Sequence, residues 1–466
     1  MTTPTIGTKN VRFLRRLLEE YRSMSFPVDV VVYSDVPQDL GPGVEVKVGL
    51  PADGAHYLPL EHRKLFAERV DDYDVFIYTE DDTFVTQRQI EAFWEMARLL
   101  GPDEVPGFLR YEVDPQGRRF ITTIHAFFSW KMGSVKTVDG HVFAEFENKH
   151  SALFMLTREH LRTAIGSGNY LTRPPLSRYY GEIESVTSDL YERCGLRKLV
   201  CLSSVDDFMV HHLPNKYIGK LGLPREALDA QVRALVEIRD GRRPKQKLFR
   251  TQTNLPFDYW DKRYYGRCPF DLAGVLGGGS RRVLSVGCGS GEAEAPLVAA
   301  GHRVTGIPLD SVIAATAEEK GVRTVGADFG AAFAELDGAQ FDYVLFLDVL
   351  EFLPEPVEML RRVAGLLGPS GRIVIVVPNF RARDWWKHKV QRLGDFQRPS
   401  VTGRFEDDGL HLTTRQMVRR WVREAGLKVK RVAYQVPRKR KRLHWSTAGV
   451  LRELLAERLL IVAARA

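Results

Sequence analysis

A chain of 466 residues, 44% hydrophobic and 27% charged, is too long for one ordinary hydrophobic core and has the balance of a soluble globular protein, so two or three domains are expected. Four scattered cysteines without a CxxC pair argue against a disulfide framework and a zinc site, no run of roughly 18 apolar residues marks a membrane span, and the start MTTPTIGTKN lacks a signal-peptide pattern, so a cytoplasmic protein is expected. The net charge of +8 points to an anionic partner: nucleic acid, an anionic membrane or a phosphorylated substrate.

In chain order, the first half alternates helices and strands. VRFLRRLLEEYRSM predicts an amphipathic helix, VDVVVYS and DVFIYT predict strands, and QIEAFWEMARLL, LTREHLRTAI and SDLYERCG predict further helices. The basic run GRRPKQKLFR, Gly241 to Arg250, reads as a linker. PRKRKR, Pro437 to Arg442, reads as a surface loop or phosphate patch. From Arg281 the alternation strengthens: VLSVGCG, HRVTGIP, VRTVGAD, FDYVLFLD and GRIVIVVPN predict successive strands with helices between them, the pattern of a parallel doubly wound sheet. The expected division is a first domain over 1–220, a linker helix and basic linker over 221–257, and a second domain over 258–466.

The strand, glycine-rich turn and helix of VLSVGCGSGE suit close approach of the backbone to a ligand. With FDYVLFLDVLEFLPEP and LLGPSGRIVIVVPN downstream, the span from about Asp258 to Ala466 resembles the class I S-adenosylmethionine-dependent methyltransferases, which implies a Rossmann-like fold. The resemblance implies that Gly287, Cys288, Gly289 and Gly291 wrap the methionine part of the cofactor, that Asp328 meets the adenine amino group, and that Asp348 lies where cofactor and substrate meet. Two positions depart from the family pattern. Pro308 stands where an acid usually grips the ribose, leaving that contact to Asp310, and Phe352 replaces a frequent histidine. A hydroxyl acceptor needs a proton acceptor, and His411 in DDGLHLTT is the candidate base, a structural role being equally open.

Three consecutive acids, Glu80, Asp81 and Asp82, end the predicted strand in VFIYTEDDTFVT. A second triplet, Glu406 to Asp408, is expected in a polar, glycine-containing loop, the usual place for solvated charges, so three acids alone carry no message. What separates the first is its place at the carboxyl edge of a sheet, where clustered carboxylates favour a hard divalent cation shared with a phosphorylated ligand. The segment resembles the GT-A glycosyltransferases. That resemblance implies Mn²⁺ or Mg²⁺ held by Glu80, Asp81, Asp82 and a late histidine, with His212 preferred over His211, a nucleotide-sugar donor, and Glu184 as an acid near the acceptor. Such domains open with a strand, whereas this chain turns almost at once into VRFLRRLLEEY, so the first strand is expected to be short or missing.

The combined expectation is an α/β protein of two domains, GT-A-like and then Rossmann-like, that transfers sugar and O-methylates the same glycan or glycoconjugate. Its acceptor could be a membrane-bound glycolipid, and no nucleic acid is expected. The alternative is an RNA or small-molecule methyltransferase with a noncatalytic first half.

Overall fold

The computed structural model describes the chain apart from residues 52–53, 124–127, 176–181, 219–221, 247, 249–267, 310, 327, 382–403 and 439–450. The chain divides into two compact units, one comprising Met1–Ile218 with Gly222–Leu248 and the other running over Phe249–Ala466. No helix among the described residues is long and apolar enough to cross a membrane.

The first unit is built on a five-stranded sheet whose order is Leu153–Thr157, Val75–Thr79, Thr2–Thr5, Val30–Ser34, Val44–Val48. Four of these strands run parallel and Leu153–Thr157 runs against its neighbour. The opening strand expected to be short or missing is therefore present. Thr2–Thr5 is wholly buried and pairs on both sides, yet its sequence, TTPT, has no apolar residue and places a proline in a central strand, so it carries no ordinary strand signal. The helix Val11–Ser23 buries Leu14, Leu17, Leu18 and Tyr21, the i, i+3, i+4, i+7 stripe of an amphipathic helix.

A smaller sheet, ordered Leu223–Pro224, Arg119–Ile121, Leu109–Val113, Met209–His212, Thr83–Phe84, sets His212 directly opposite Thr83 and so beside the acidic turn. The helix Arg225–Arg239, expected as a linker, belongs instead to the first unit. It buries Leu228, Leu235 and Ile238, and its Gln231 accepts a 2.8 Å hydrogen bond from the Trp130 indole.

The second unit carries a seven-stranded sheet. With its strands numbered along the chain, their order is 3-2-1-4-5-7-6: Arg323–Thr324, Arg303–Pro308, Arg282–Cys288, Phe341–Leu347, Leu367–Pro378, Arg458–Arg465, Leu427–Gln435. The first five are parallel, and Arg458–Arg465 is antiparallel to both its neighbours. The strand predicted through VRTVGAD shrinks to Arg323–Thr324, because Gly326 turns at φ +67° and Asp328 starts the helix Phe329–Glu335. The second acidic triplet lies in a short helix, Phe405–Asp408, closed by Gly409 in the left-handed region.

Candidate functional site

In an open α/β sheet, ligands bind outside the carboxyl ends of the strands where the order reverses. In the second unit that point lies between Arg282–Cys288 and Phe341–Leu347. The glycine-rich turn leaves the first of these strands, and Asp348 leaves the second. Gly287 sits at φ +75°, and a Cβ there would come within 2.5 Å of Val349 Cγ2, so the turn packs directly on the segment that follows Asp348. Gly291 has φ +76°, and its Cβ would meet the Ala317 backbone at 2.9 Å. Lys320 fastens the turn from outside, donating to the Ser290 carbonyl at 2.7 Å and to Glu292 at 3.0 Å. Ser285 donates at 2.6 Å to buried Glu294, whose pKa is raised by burial.

The expected cofactor residues divide on inspection. Gly287, Gly289 and Gly291 lie in the buried turn. Cys288 is buried with its sulfur toward Gly306, where an added Cβ would stand 2.4 Å away, so its thiol belongs to the core and it can meet a ligand only through its backbone. Asp328 caps its helix by accepting from Ala331 N at 2.9 Å. Asp310 lies outside the described residues. The preceding Pro308 pairs in register with Cys288, which brings the second strand's end to the same edge. A tight turn that admits no side chain at Gly287, opening on the switch point, fits the amino-acid end of S-adenosylmethionine.

Asp348 is buried in a left-handed conformation, φ +54°, and its carboxylate lies 3.2 Å from Arg458. Three residues on, Glu351 is 1% exposed and its Oε2 has no hydrogen-bond partner among the described residues. Burial, then the charge of Asp348, push the Glu351 pKa well above the carboxylate range, which favours its neutral form. Sequence reasoning passed over Glu351 because a glutamate in LEFLPEP looks like an ordinary surface acid. Its signal was the run of apolar residues on both sides.

His411 is brought to the same segment in a different role. Its backbone N–H donates to Glu351 O at 2.8 Å, its Nε2 lies 3.0 Å from Leu353 O, and its ring stacks on Phe405 and meets Trp421 edge-on. Burial lowers its pKa. The imidazole thus clamps the 350–354 segment through Nε2, which leaves only Nδ1 for the base role expected of it.

In the first unit the reversal lies between Thr2–Thr5 and Val75–Thr79, and the acids follow the second of these strands. Asp81 and Asp82 are 8% and 6% exposed, and Asn10 donates to both, at 2.8 and 3.4 Å. His212 Nε2 stands 3.5 Å from Asp82 Oδ2, while its Nδ1 faces the fully buried Glu112 at 2.6 Å. Burial opposes charging of His212, but the hydrogen bonds to Asp82 and Glu112 win and raise its pKa. Burial pushes Asp81 up to about 6 and Glu80 up to about 7, Glu80 also feeling the charges of Arg110, Asp82 and Glu184. His211 stacks on Tyr111 and pairs with Asn215 at 2.9 Å, facing away as strand alternation requires.

Among the described residues no group of three or more His, Cys, Asp or Glu side chains is arranged to hold a metal ion. Asn10 already engages Asp81, and Glu112 occupies the far side of His212. No such group therefore gathers the expected Glu80, Asp81, Asp82 and His212 as a metal set, and the buried Asp82 Oδ1 has no hydrogen-bond partner among the described residues.

Residues 251–432 match the family model described as a methyltransferase domain, which bears on the second unit alone. Among curated proteins the chain is 35% identical over 106 residues to the ubiquinone biosynthesis O-methyltransferase of Bordetella bronchiseptica, covering 22% of this chain and 43% of that one. It is 29% identical over 165 residues to the same enzyme of Pseudomonas aeruginosa, covering 34% and 68%. The chain thus spans less than half the length of the first of these relatives. Among solved structures, the magnesium protoporphyrin IX methyltransferase of Synechocystis aligns with 19% identity and a TM-score of 0.28, over 41% of this chain and 76% of that one. The second unit of this chain carries a methyltransferase domain on a Rossmann-like α/β sheet.

Proposed function

We propose that the protein is an S-adenosylmethionine-dependent methyltransferase that methylates a hydroxyl of a small molecule or glycoconjugate. The observation that carries this reading is the meeting, at one switch point, of a glycine turn closed against Val349 with the acid pair Asp348 and Glu351. The O-methyltransferase names of the curated relatives support the acceptor class. When bound, S-adenosylmethionine supplies an electrophilic sulfonium methyl. The chain's own task is to hold the acceptor oxygen in line and to manage its proton. Backbone groups of the Gly287–Gly291 turn hold the amino-acid end. Neutral Glu351 donates a hydrogen bond that orients the acceptor, and the Asp348 carboxylate, fixed by Arg458, receives the proton. The test is transfer of labelled methyl from S-adenosylmethionine to a panel of phenols, catechols and glycans. Transfer by the intact protein and its loss in G287V support the reading, and transfer unaffected by G287V refutes it.

One observation favours a second activity in the first unit: a buried carboxylate oxygen of Asp82, unpartnered among the described residues, at that unit's own switch point, 3.5 Å from His212 through its other oxygen. Asp82 and His212 would hold Mn²⁺ or Mg²⁺, with water and ligand phosphates completing the shell as is usual for such ions. In this reading the ion binds the diphosphate of a nucleotide sugar, and Glu184 faces the acceptor. Metal-dependent hydrolysis of a nucleotide sugar that disappears in D82A tests it, and hydrolysis that persists in D82A overturns it.

A further inference from the structure

The helix Arg415–Glu424 buries Val418, Trp421 and Val422 and turns Arg419, Arg420 and Arg423 outward. These three arginines, with Arg381, Arg415 and Lys428, line a groove of about 820 Å³ between that helix and the strand Leu427–Gln435. Glu453 is the one acid among the described lining residues, and it is already engaged, by Arg415 and by Arg381 at 3.6 Å. Arg420 stands 3.8 Å from Glu424 on its own helix. Arg419, Arg423 and Lys428 have no ion-pair partner among the described residues.

Among the exposed arginines of the first unit, Arg88 is matched with Asp207, Arg119 with Asp206 and Arg162 with Asp71. Like charges one helical turn apart, as Arg419 and Arg423 are, repel and weaken a helix. An anion bound between them relieves the repulsion. Guanidinium groups present planar forks that match phosphate oxygens. The volume falls within the range of roughly 300 to 1,000 Å³ usual for small-ligand sites, and a flat membrane or a continuous strand of nucleic acid requires no such hollow. The described lining also has no aromatic side chain on which a base could stack, the usual partner of basic residues in single-strand binding.

We propose that this groove is a binding site for a phosphate-bearing ligand, either free in solution or carried on a lipid headgroup. The site is distinct from the switch point of its own sheet, because it is formed by the helix and strand of the opposite sheet edge. The test is calorimetric titration of the full chain with inorganic pyrophosphate at fixed ionic strength, beside sedimentation with vesicles containing phosphatidic acid and with vesicles of phosphatidylcholine alone. Replacing Arg419 and Arg423 by glutamine is expected to weaken binding by about tenfold per lost charged hydrogen bond. The R88Q/R162Q variant is expected to bind as the parent does. Pyrophosphate binding that falls in R419Q/R423Q supports a soluble source. Binding only to phosphatidic acid vesicles, lost in the same variant, supports a lipid source. No binding to either probe, or binding that R419Q/R423Q leaves unchanged, overturns the proposal. So does tight binding of a single-stranded RNA that pyrophosphate fails to displace.

Discussion

Replacing Gly287 by alanine tests how closely the ligand turn is packed. At φ +75° an L-residue costs about 1–2 kcal/mol relative to glycine. The new Cβ would lie 2.5 Å from Val349 Cγ2, well inside van der Waals contact, and overpacking of that kind costs about 1–3 kcal/mol. The sum, about 2–5 kcal/mol, is large against the usual stability of a domain. Because Val349 is fully buried, V349A alone is also destabilising, so the informative quantity is the coupling in a double-mutant cycle. V349A in the G287A background should recover the steric part, a favourable coupling of about 1–3 kcal/mol, and leave the conformational part. Hydrogen exchange of the Arg282–Cys288 amides reads the opening free energy of this unit without interference from the other. A coupling of only a few tenths of a kcal/mol would mean that the turn does not rest on Val349, and the reasoning for the site would fail with it.

Other consequences are accessible to similar measurements. Glu351 has a folded pKa raised above its unfolded value, so its contribution to stability is complete below about pH 4.5 and is lost as pH rises toward the folded value. E351Q should therefore flatten the fall in the second unit's melting temperature above that pH, and an unchanged slope would show that Glu351 ionises freely. Lys198, 2% exposed, donates to Lys149 O and Ser151 Oγ, and burial depresses its pKa to about 7. Its unfolded state binds more protons between about pH 7 and 10.5, so the first unit should gain up to a few kcal/mol over that interval. K198M should abolish the gain, and a persistent slope would assign it elsewhere. Arg63 pairs with Asp189 at 3.1 Å, both side chains 3% exposed, and also donates to Tyr170 O and Val186 O. R63M should cost about 3–5 kcal/mol in urea denaturation, and a loss below about 1 kcal/mol would mean that Arg193 alone satisfies the stranded carboxylate.

What could be read from the sequence depended on whether a segment carries its signal in apolar periodicity. The helix over Leu14, Leu17, Leu18 and Tyr21 and the strands VFIYT, VLSVG and YVLFL announce themselves, and the acidic triplet that ends VFIYT reads as lying at the carboxyl edge of a sheet. The opening strand TTPT did not, because its burial comes from pairing on both sides and not from hydrophobic side chains. Glu351 was hidden, and for His411 a structural role stood open beside the base role without showing what it clamps. Each depends on what the chain packs around it from segments some 60 residues away, which spacing along the sequence does not encode. Cys288 shows the opposite case. It was expected in the turn, whereas it is the last residue of the strand Arg282–Cys288 and its sulfur points into the core.

The most direct test of the central claim is titration of the intact protein with S-adenosylhomocysteine, followed by hydrogen exchange. One equivalent should bind, and protection should rise together over 282–291 and 348–353, the two strand ends that meet at the switch point. Absence of binding, or protection confined to other segments, would contradict the assignment of that crevice as the cofactor site.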